Sequence, residues 1–188
     1  CRTRLFDYFY SEIVANTVDS LPENAVTYQK LVETCNALCV SPIAGEITSK
    51  YESKINNVWY TLNDNPMKIS KVCVTFSETN VVLKYSNLRG YKEIHFRMGE
   101  YLQSEFPELH YSGDTINTPI GRNYKCMSCG AWTEENKLVI RTYITDDYLG
   151  NLTITMCFKG SQIGIKMHKT AEWFLDEYEG FAGGTQIL

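Results

Sequence analysis

Cys126-Met127-Ser128-Cys129 is the one Cys-x-x-Cys in the chain, and thiolates at that spacing can hold zinc or cycle as a redox dithiol. A structural zinc needs four ligands, usually two such pairs. The other close pair is Cys35 and Cys39, and His95, His110 and His168 stand at no ligand spacing. A redox dithiol belongs ahead of a helix in a βαβ setting, whereas Gly130-Ala131-Trp132 follows here. Cys126 and Cys129 therefore stay a minor candidate metal pair beside the plainer reading of structural thiols.

Nucleophilic chemistry fares no better. No serine has a lysine three places on, and no Gly-x-Ser-x-Gly elbow occurs. Tyr85-Ser86-Asn87 and Lys169-Thr170-Ala171 look like pieces of penicillin-recognising motifs, but without a paired serine they form no acyl-enzyme. The carboxylate pairs Asp146-Asp147 and Asp176-Glu177 fall in an expected turn and an expected helix, where they solvate a surface. No glycine-rich phosphate loop is present. The expectation is no catalytic residue and no cofactor. Trp59, Tyr60, Trp132 and Trp173 could line a pocket at a barrel mouth, fill a barrel, or meet a neighbouring domain.

The elements that would position these residues change period along the chain. Leu5, Phe6, Phe9, Tyr10, Ile13, Val14 and Val18 recur at spacings of three and four, predicting a helix over 4–19. Ser20 and Glu23 have capping-box spacing, with Pro22 tolerable in a first turn. A second helix then runs to about Leu38 with Tyr28, Leu31, Val32 and Cys35 on one side, and Ser41-Pro42 and Gly45 end the helical part.

Beyond it the period becomes two. Val72/Val74/Phe76, Ile94/Phe96/Met98, Leu138/Ile140/Thr142/Ile144, Leu152/Ile154/Met156/Phe158 and Ile163/Ile165/Met167 each alternate with more polar residues. That pattern gives strands with one buried and one wet face, hence an antiparallel sheet. Turn residues separate them at Glu78-Thr79-Asn80, Ser86 to Gly90, Glu134-Glu135-Asn136, Asp146 to Asn151 and Lys159-Gly160-Ser161. A long meander leaves edges that invite aggregation unless it closes. The fold expected is α+β, mainly antiparallel β: an up-and-down, lipocalin-like barrel of about eight strands, with two N-terminal helices. Residues 99–121 form a long loop with one short strand at most. Trp173, Phe174, Tyr178 and Phe181 suggest a short C-terminal helix ended by Gly180 or Gly183-Gly184. The boundary falls near residue 42, giving a helical linker or hairpin over 1–42 and a barrel over 43–188.

Charge and composition narrow the partners. Eighteen basic against twenty-two acidic residues leave a net charge of −4 with no basic stripe, which argues against nucleic acid. No apolar run reaches the ~18 residues of a membrane span. Seven scattered cysteines, an odd number, fit a reducing compartment and a cytoplasmic location. Cys1 could be an acylated cysteine, an N-terminal nucleophile or a chain boundary; the helical pattern that follows favours the boundary.

Taken in order, Leu21-Pro22-Glu23-Asn24, Asn65-Pro66, Gly130-Ala131-Trp132, Leu138-Val139-Ile140, Leu149-Gly150-Asn151-Leu152-Thr153 and the stretch from Lys169 to Phe181 resemble the C-terminal region of β-lactamase-related serine hydrolases of Firmicutes, clostridia among them. The resemblance runs from about Leu5 to Ala182. It implies an N-terminal catalytic domain in the same polypeptide as partner, supplying the nucleophile, and a non-catalytic accessory role for this chain. The alternative is a stand-alone barrel that binds a small apolar ligand. Its expected inward positions, mostly bulky Val, Ile, Leu, Phe and Met, tend to fill a small barrel.

Overall fold

Helical periodicity gives way to strand periodicity near residue 41, and the chain divides there into two units, Cys1–Val40 and Ser41–Leu188. The computed structural model describes residues 2–18, 23–78, 80–108, 122–146, 149–170 and 178–187.

In the first unit, α1 (Arg2–Tyr8) runs on through a widened turn, Phe9–Ile13, and a tightened one, Val14–Asn16. The last carbonyls have no partner further along the helix, so side chains take them. Asn16 Nδ2 donates to the Glu12 carbonyl at 3.0 Å, and Thr17 Oγ1 to that of Val14 at 2.9 Å. The second helix, α2 (Ala25–Ala37), opens on Asn24, whose Oδ1 accepts from the Thr27 amide at 2.9 Å. Asn24 is thus the cap in place of the Ser20–Glu23 box; Ser20 lies outside the described residues. Leu5, Phe6, Tyr10, Ile13, Tyr28 and Leu31, expected to share one face of their helix, are exposed.

The second unit is a sheet of ten strands: β1 (Val58–Leu62), β2 (Lys71–Phe76), β3 (Val81–Asn87), β4 (Gly90–Met98), β5 (Leu102–Glu105), β6 (Lys125–Glu134), β7 (Lys137–Thr145), β8 (Leu149–Lys159), β9 (Gln162–Thr170) and β10 (Gly180–Gln186). A four-residue helix, α3 (Glu52–Ile55), precedes β1. Neighbours follow sequence order, and β10 returns to pair antiparallel with β1. The other seam closes where the end of β4 runs beside the middle of β6, Arg97 opposite Cys129 and Met98 opposite Gly130, while β5 turns back antiparallel along the start of β6. The result is a closed up-and-down barrel.

The five expected turns mark five strand junctions, though their edges run into the strands: Leu149, Gly150 and Asn151 already belong to β8, and Thr79 and Asp147 lie outside the described residues. The strands number ten against about eight expected: β5 is the short strand allowed within 99–121, and β10 carries no clear alternation. The helix suggested around Trp173 falls on 171–177, outside the described residues, but Phe181 and Gly183-Gly184 belong to strand β10 rather than to its end.

The barrel is filled. Tyr60, Leu83, Phe96, Leu138, Ile154 and Ile165 are among the side chains that form one contiguous apolar core. Rings meet across it: Tyr60 and Phe158 at 6.0 Å between centroids, Trp132 and Phe158 at 6.2 Å. Ser128 and Thr142, both buried, satisfy each other at 2.9 Å between hydroxyl oxygens.

Gly184 shows why β10 lacks alternation. A Cβ there would lie 2.5 Å from the Thr61 carbonyl oxygen and 2.6 Å from Leu62 Cδ2, so the strand needs bare backbone at this pairing. Gly184→Ala should destabilise by about 1–3 kcal/mol, the usual scale for overpacking, seen as a lower urea midpoint at unchanged slope.

Candidate functional site

The two ends of the barrel differ in chemistry. One carries the β2–β3 turn, the β4–β5 turn and α3; the other carries the β3–β4 hairpin and the start of β10.

The second end is sealed by a buried carboxylate. Glu108, three residues past β5 and 2% exposed, accepts from Tyr178 Oη at 2.8 Å and from Asn87 Nδ2 at 2.9 Å. Tyr85 Oη stands 2.7 Å from Tyr178 Oη. A phenol has one proton to give, and Tyr178 spends it on Glu108, so Tyr85 is the donor to Tyr178. Lys92 Nζ lies 3.5 Å from Glu108 Oε2 and donates to the Pro107 carbonyl at 3.1 Å; Arg89 is 3.8 Å away. Burial first, then Tyr85 and Glu108, holds the Tyr178 phenol well above its ordinary range, so it stays a donor. The arrangement ties together the segment after β5, the β3–β4 hairpin and the residue leading into β10.

The first end is open. A cleft of about 520 Å3 lies between Ile47 and Thr48, α3, the β2–β3 turn and the end of β4. Ligand sites for small molecules fall between roughly 300 and 1,000 Å3. Phe76, Val81 and Met98 line it from the barrel side, with Ile47 opposite. Phe76 in turn stacks on the buried Trp132 at 6.1 Å and 15°. Trp132 Nε1 donates to Glu52 Oε1 at 2.9 Å, and its backbone exchanges two 2.9 Å bonds with Glu46, so one residue carries the cleft floor and fixes the wall. Arg97, Glu78, Glu100 and Asn80 supply the polar rim. Arg97 Nη1 lies 3.0 Å from Glu100 Oε1. Two buried polar atoms in this rim have no hydrogen-bond partner, Asn80 Oδ1 and Arg97 Nε.

The residues singled out in the sequence are dispersed. Cys126 and Cys129 both lie on β6 and are buried free thiols. Three residues apart on a strand, they point to opposite faces. Cys126 meets Ser104 Oγ at 3.3 Å, and burial pushes its thiol up; Cys129 lies beside Tyr101, whose phenol burial and that thiol push up. Cys35 and Cys39 are exposed thiols of the helical unit. Among the described residues no group of three or more His, Cys, Asp or Glu could hold a metal ion. Tyr85 and Asn87 belong to the Glu108 network, and the Lys169 amide donates to Glu179 at 2.9 Å. His95 pairs with Glu93 at 3.3 Å and His168 with Glu179 at 2.8 Å. Asp146 is tied to Arg122. Of the aromatics, Tyr60 and Trp132 fill the barrel and Trp59 sits near Tyr91 outside it. His110, Asp147, Ala171, Trp173, Asp176 and Glu177 lie outside the described residues.

Sequence reasoning missed Asn80, Arg97 and Glu108 as site residues. Asn80 was legible only as a turn and Arg97 only as the wet side of an alternation. Glu108, in the irregular stretch, carries no pattern at all.

No family model matches the chain, and no curated protein matches it. Among solved structures it aligns with a fatty acid-binding protein from Drosophila melanogaster brain tissue, at 12% identity and a TM-score of 0.45, covering 71% of this chain and 99% of that one. It also aligns with a Schistosoma mansoni fatty acid binding protein in complex with arachidonic acid, at 9% and 0.49, covering 72% and 98%. A third is fatty-acid-binding protein 1 of Echinococcus granulosus, at 11% and 0.46, covering 72% and 99%. The resemblance to β-lactamase-related serine hydrolases is overturned: none of the comparisons returns such a protein, and a catalytic-domain partner is left without support. The quoted segments explain the error. Gly130–Trp132, Leu138–Ile140 and Leu149–Thr153 are pieces of β6, β7 and β8, so the order that suggested a hydrolase tail is the order of a meander. No helix is long and apolar enough to cross a membrane among the described residues. By its own strand order, the unit from Ser41 onward is a closed, lipocalin-like up-and-down β-barrel.

Proposed function

We propose that the barrel is a binding module, not an enzyme, and that it takes a small apolar or amphipathic molecule in the cleft at its open end. The observation that carries this is the contrast between a filled interior and a cleft of about 520 Å3 floored by Phe76, Val81 and Met98. An apolar wall with a few convergent polar groups is the usual make-up of such sites. The aligned structures are fatty acid-binding proteins, but the binding role proposed for this chain rests on its own side chains at the barrel mouth.

Trp132, under Phe76, is a built-in reporter. Titrating dodecanol below its solubility limit should change tryptophan emission saturably with one site per chain. Trp132→Phe should abolish most of that change. Thr48 is exposed on the cleft wall, and Thr48→Phe should weaken binding about tenfold without lowering the melting temperature. A flat calorimetric titration for dodecanol and for charged dodecyl compounds alike would end this reading.

A further inference from the structure

We infer that the exposed face of α1 is the contact surface of an antiparallel dimer, in which a second copy of the same helix lies across it on a twofold axis.

Residues four apart stack in rows along a helix, and α1 with its continuation carries three such rows side by side. The middle row is Leu5, Phe9 and Ile13. On one side of it run Phe6, Tyr10 and Val14; on the other run Arg4, Tyr8 and Glu12. All of these residues are exposed. Leu5, Phe6, Tyr8, Phe9, Glu12 and Ile13 enclose a shallow groove of about 370 Å3, and Glu12 is the one charge among them.

The apolar surface left open sets the size of what covers it. Phe6, Tyr8, Phe9 and Tyr10 are between 46% and 70% exposed. At roughly 150–250 Å2 for a whole aromatic side chain, those four hold open on the order of 450 Å2 in one copy. A specific interface should clear about 1,000 Å2 counted over both partners. Two copies of the four rings supply most of that, and Leu5, Ile13 and Val14 supply the rest.

A second copy fits this face because of how the rows read in reverse. A twofold axis across the pair inverts one helix against the other and keeps each flank beside its own counterpart. Placed near Phe9, it lays Leu5, Phe9 and Ile13 on themselves, apolar on apolar, and does the same for Phe6, Tyr10 and Val14. The charged row has its midpoint at Tyr8, one residue or about 1.5 Å away along the helix. That row is positive at one end and negative at the other, so the same operation brings Arg4 of each copy to Glu12 of the other. A parallel pairing would set like charges together instead. Within its own chain Glu12 accepts from the Ser11 hydroxyl at 3.4 Å, an uncharged partner that leaves its charge in place.

Analytical ultracentrifugation of the whole chain at neutral pH and low salt should show a monomer–dimer equilibrium with a dissociation constant in the micromolar range, weakening as salt is raised. Arg4→Glu and Glu12→Arg should each weaken the dimer about tenfold, because each sets like charges against one another at both ends of the pair. Combining the two should return the dimer to within about threefold of the original, since the ion pairs re-form with their signs exchanged. Phe9→Glu, at the axis, should leave a monomer whose barrel melts at an unchanged temperature. A chain still monomeric at several hundred micromolar would overturn the inference. So would a dimer that ignores both charge reversals, or one that the combined variant fails to restore.

Discussion

Glu108→Ala should cost about 3–5 kcal/mol of stability, the scale for removing one partner of a buried charge pair. The loss has three parts. Tyr178 and Asn87 each lose the acceptor that satisfies them, at 2.8 and 2.9 Å. Lys92, whose side chain is 19% exposed, loses its counter-charge while still held at the Pro107 carbonyl. The third part is geometric: Glu108 joins segments from three places in the chain at the sealed end. Urea unfolding measures the effect as a fall in midpoint with the slope unchanged. Two companions separate the contributions. Glu108→Gln keeps an oxygen for Tyr178 and removes only the charge, so it should cost less than half as much. Adding Lys92→Met to Glu108→Ala should recover part of the loss, because the stranded cation goes with it. If Glu108→Ala changes stability by less than about 1 kcal/mol, the comparison with surface ion pairs shows that the network is not closed to water.

The barrel was legible because its signal is local and repeated. In β7 to β9 the alternation shows directly in burial: Leu138, Ile140, Thr142 and Ile144, then Leu152, Ile154, Met156 and Phe158, then Ile163, Ile165 and Met167 are buried, and the residues between them are not. The turns between them carry their own chemistry, which fixes register. The strands that escaped lack one of these signals. In β10, Gly184 takes the place of a side chain because β1 approaches too closely for a Cβ, so a pairing distant in sequence decides the residue type. In β6, Gly130 is backbone for the same reason: a Cβ would meet Phe96 Cε2 at 2.5 Å.

The sites were not legible, and the reason is the same in both cases. The cleft is assembled from a turn at 77–80, the end of β4 and the short helix α3 far ahead of both in the chain, and Glu108 comes from a stretch without period. Periodicity reports which face a residue takes within its own element. It does not report which elements end up at the same end of a closed sheet. The helical unit shows the converse limit: its apolar spacing is true to helix geometry, yet Leu5, Phe6 and Tyr10 remain exposed, because periodicity describes a face and not what covers it.

Trp132→Ala should be the other severe change, at about 3–5 kcal/mol, within the range for emptying a large buried aromatic. The side chain is 2% exposed and packs between Phe76 and Phe158, at 6.1 and 6.2 Å. Its indole N–H holds Glu52, the first residue of α3. Alanine therefore leaves a cavity, a carboxylate short of one donor, and a wall of the cleft without its anchor. Trp132→Phe restores most of the volume and omits the N–H, so its cost should fall to about 1.5–3 kcal/mol, the scale of one lost hydrogen bond to a charged group. The pair tests structure and ligand site together. Dodecanol affinity measured by calorimetry should drop severalfold in Trp132→Ala, where Phe76 loses the ring beneath it, and stay within about twofold in Trp132→Phe, where an aromatic ring remains. A Trp132→Ala protein that unfolds early yet binds dodecanol with undiminished affinity would separate the cleft from the core, and the floor of the site would have to lie elsewhere.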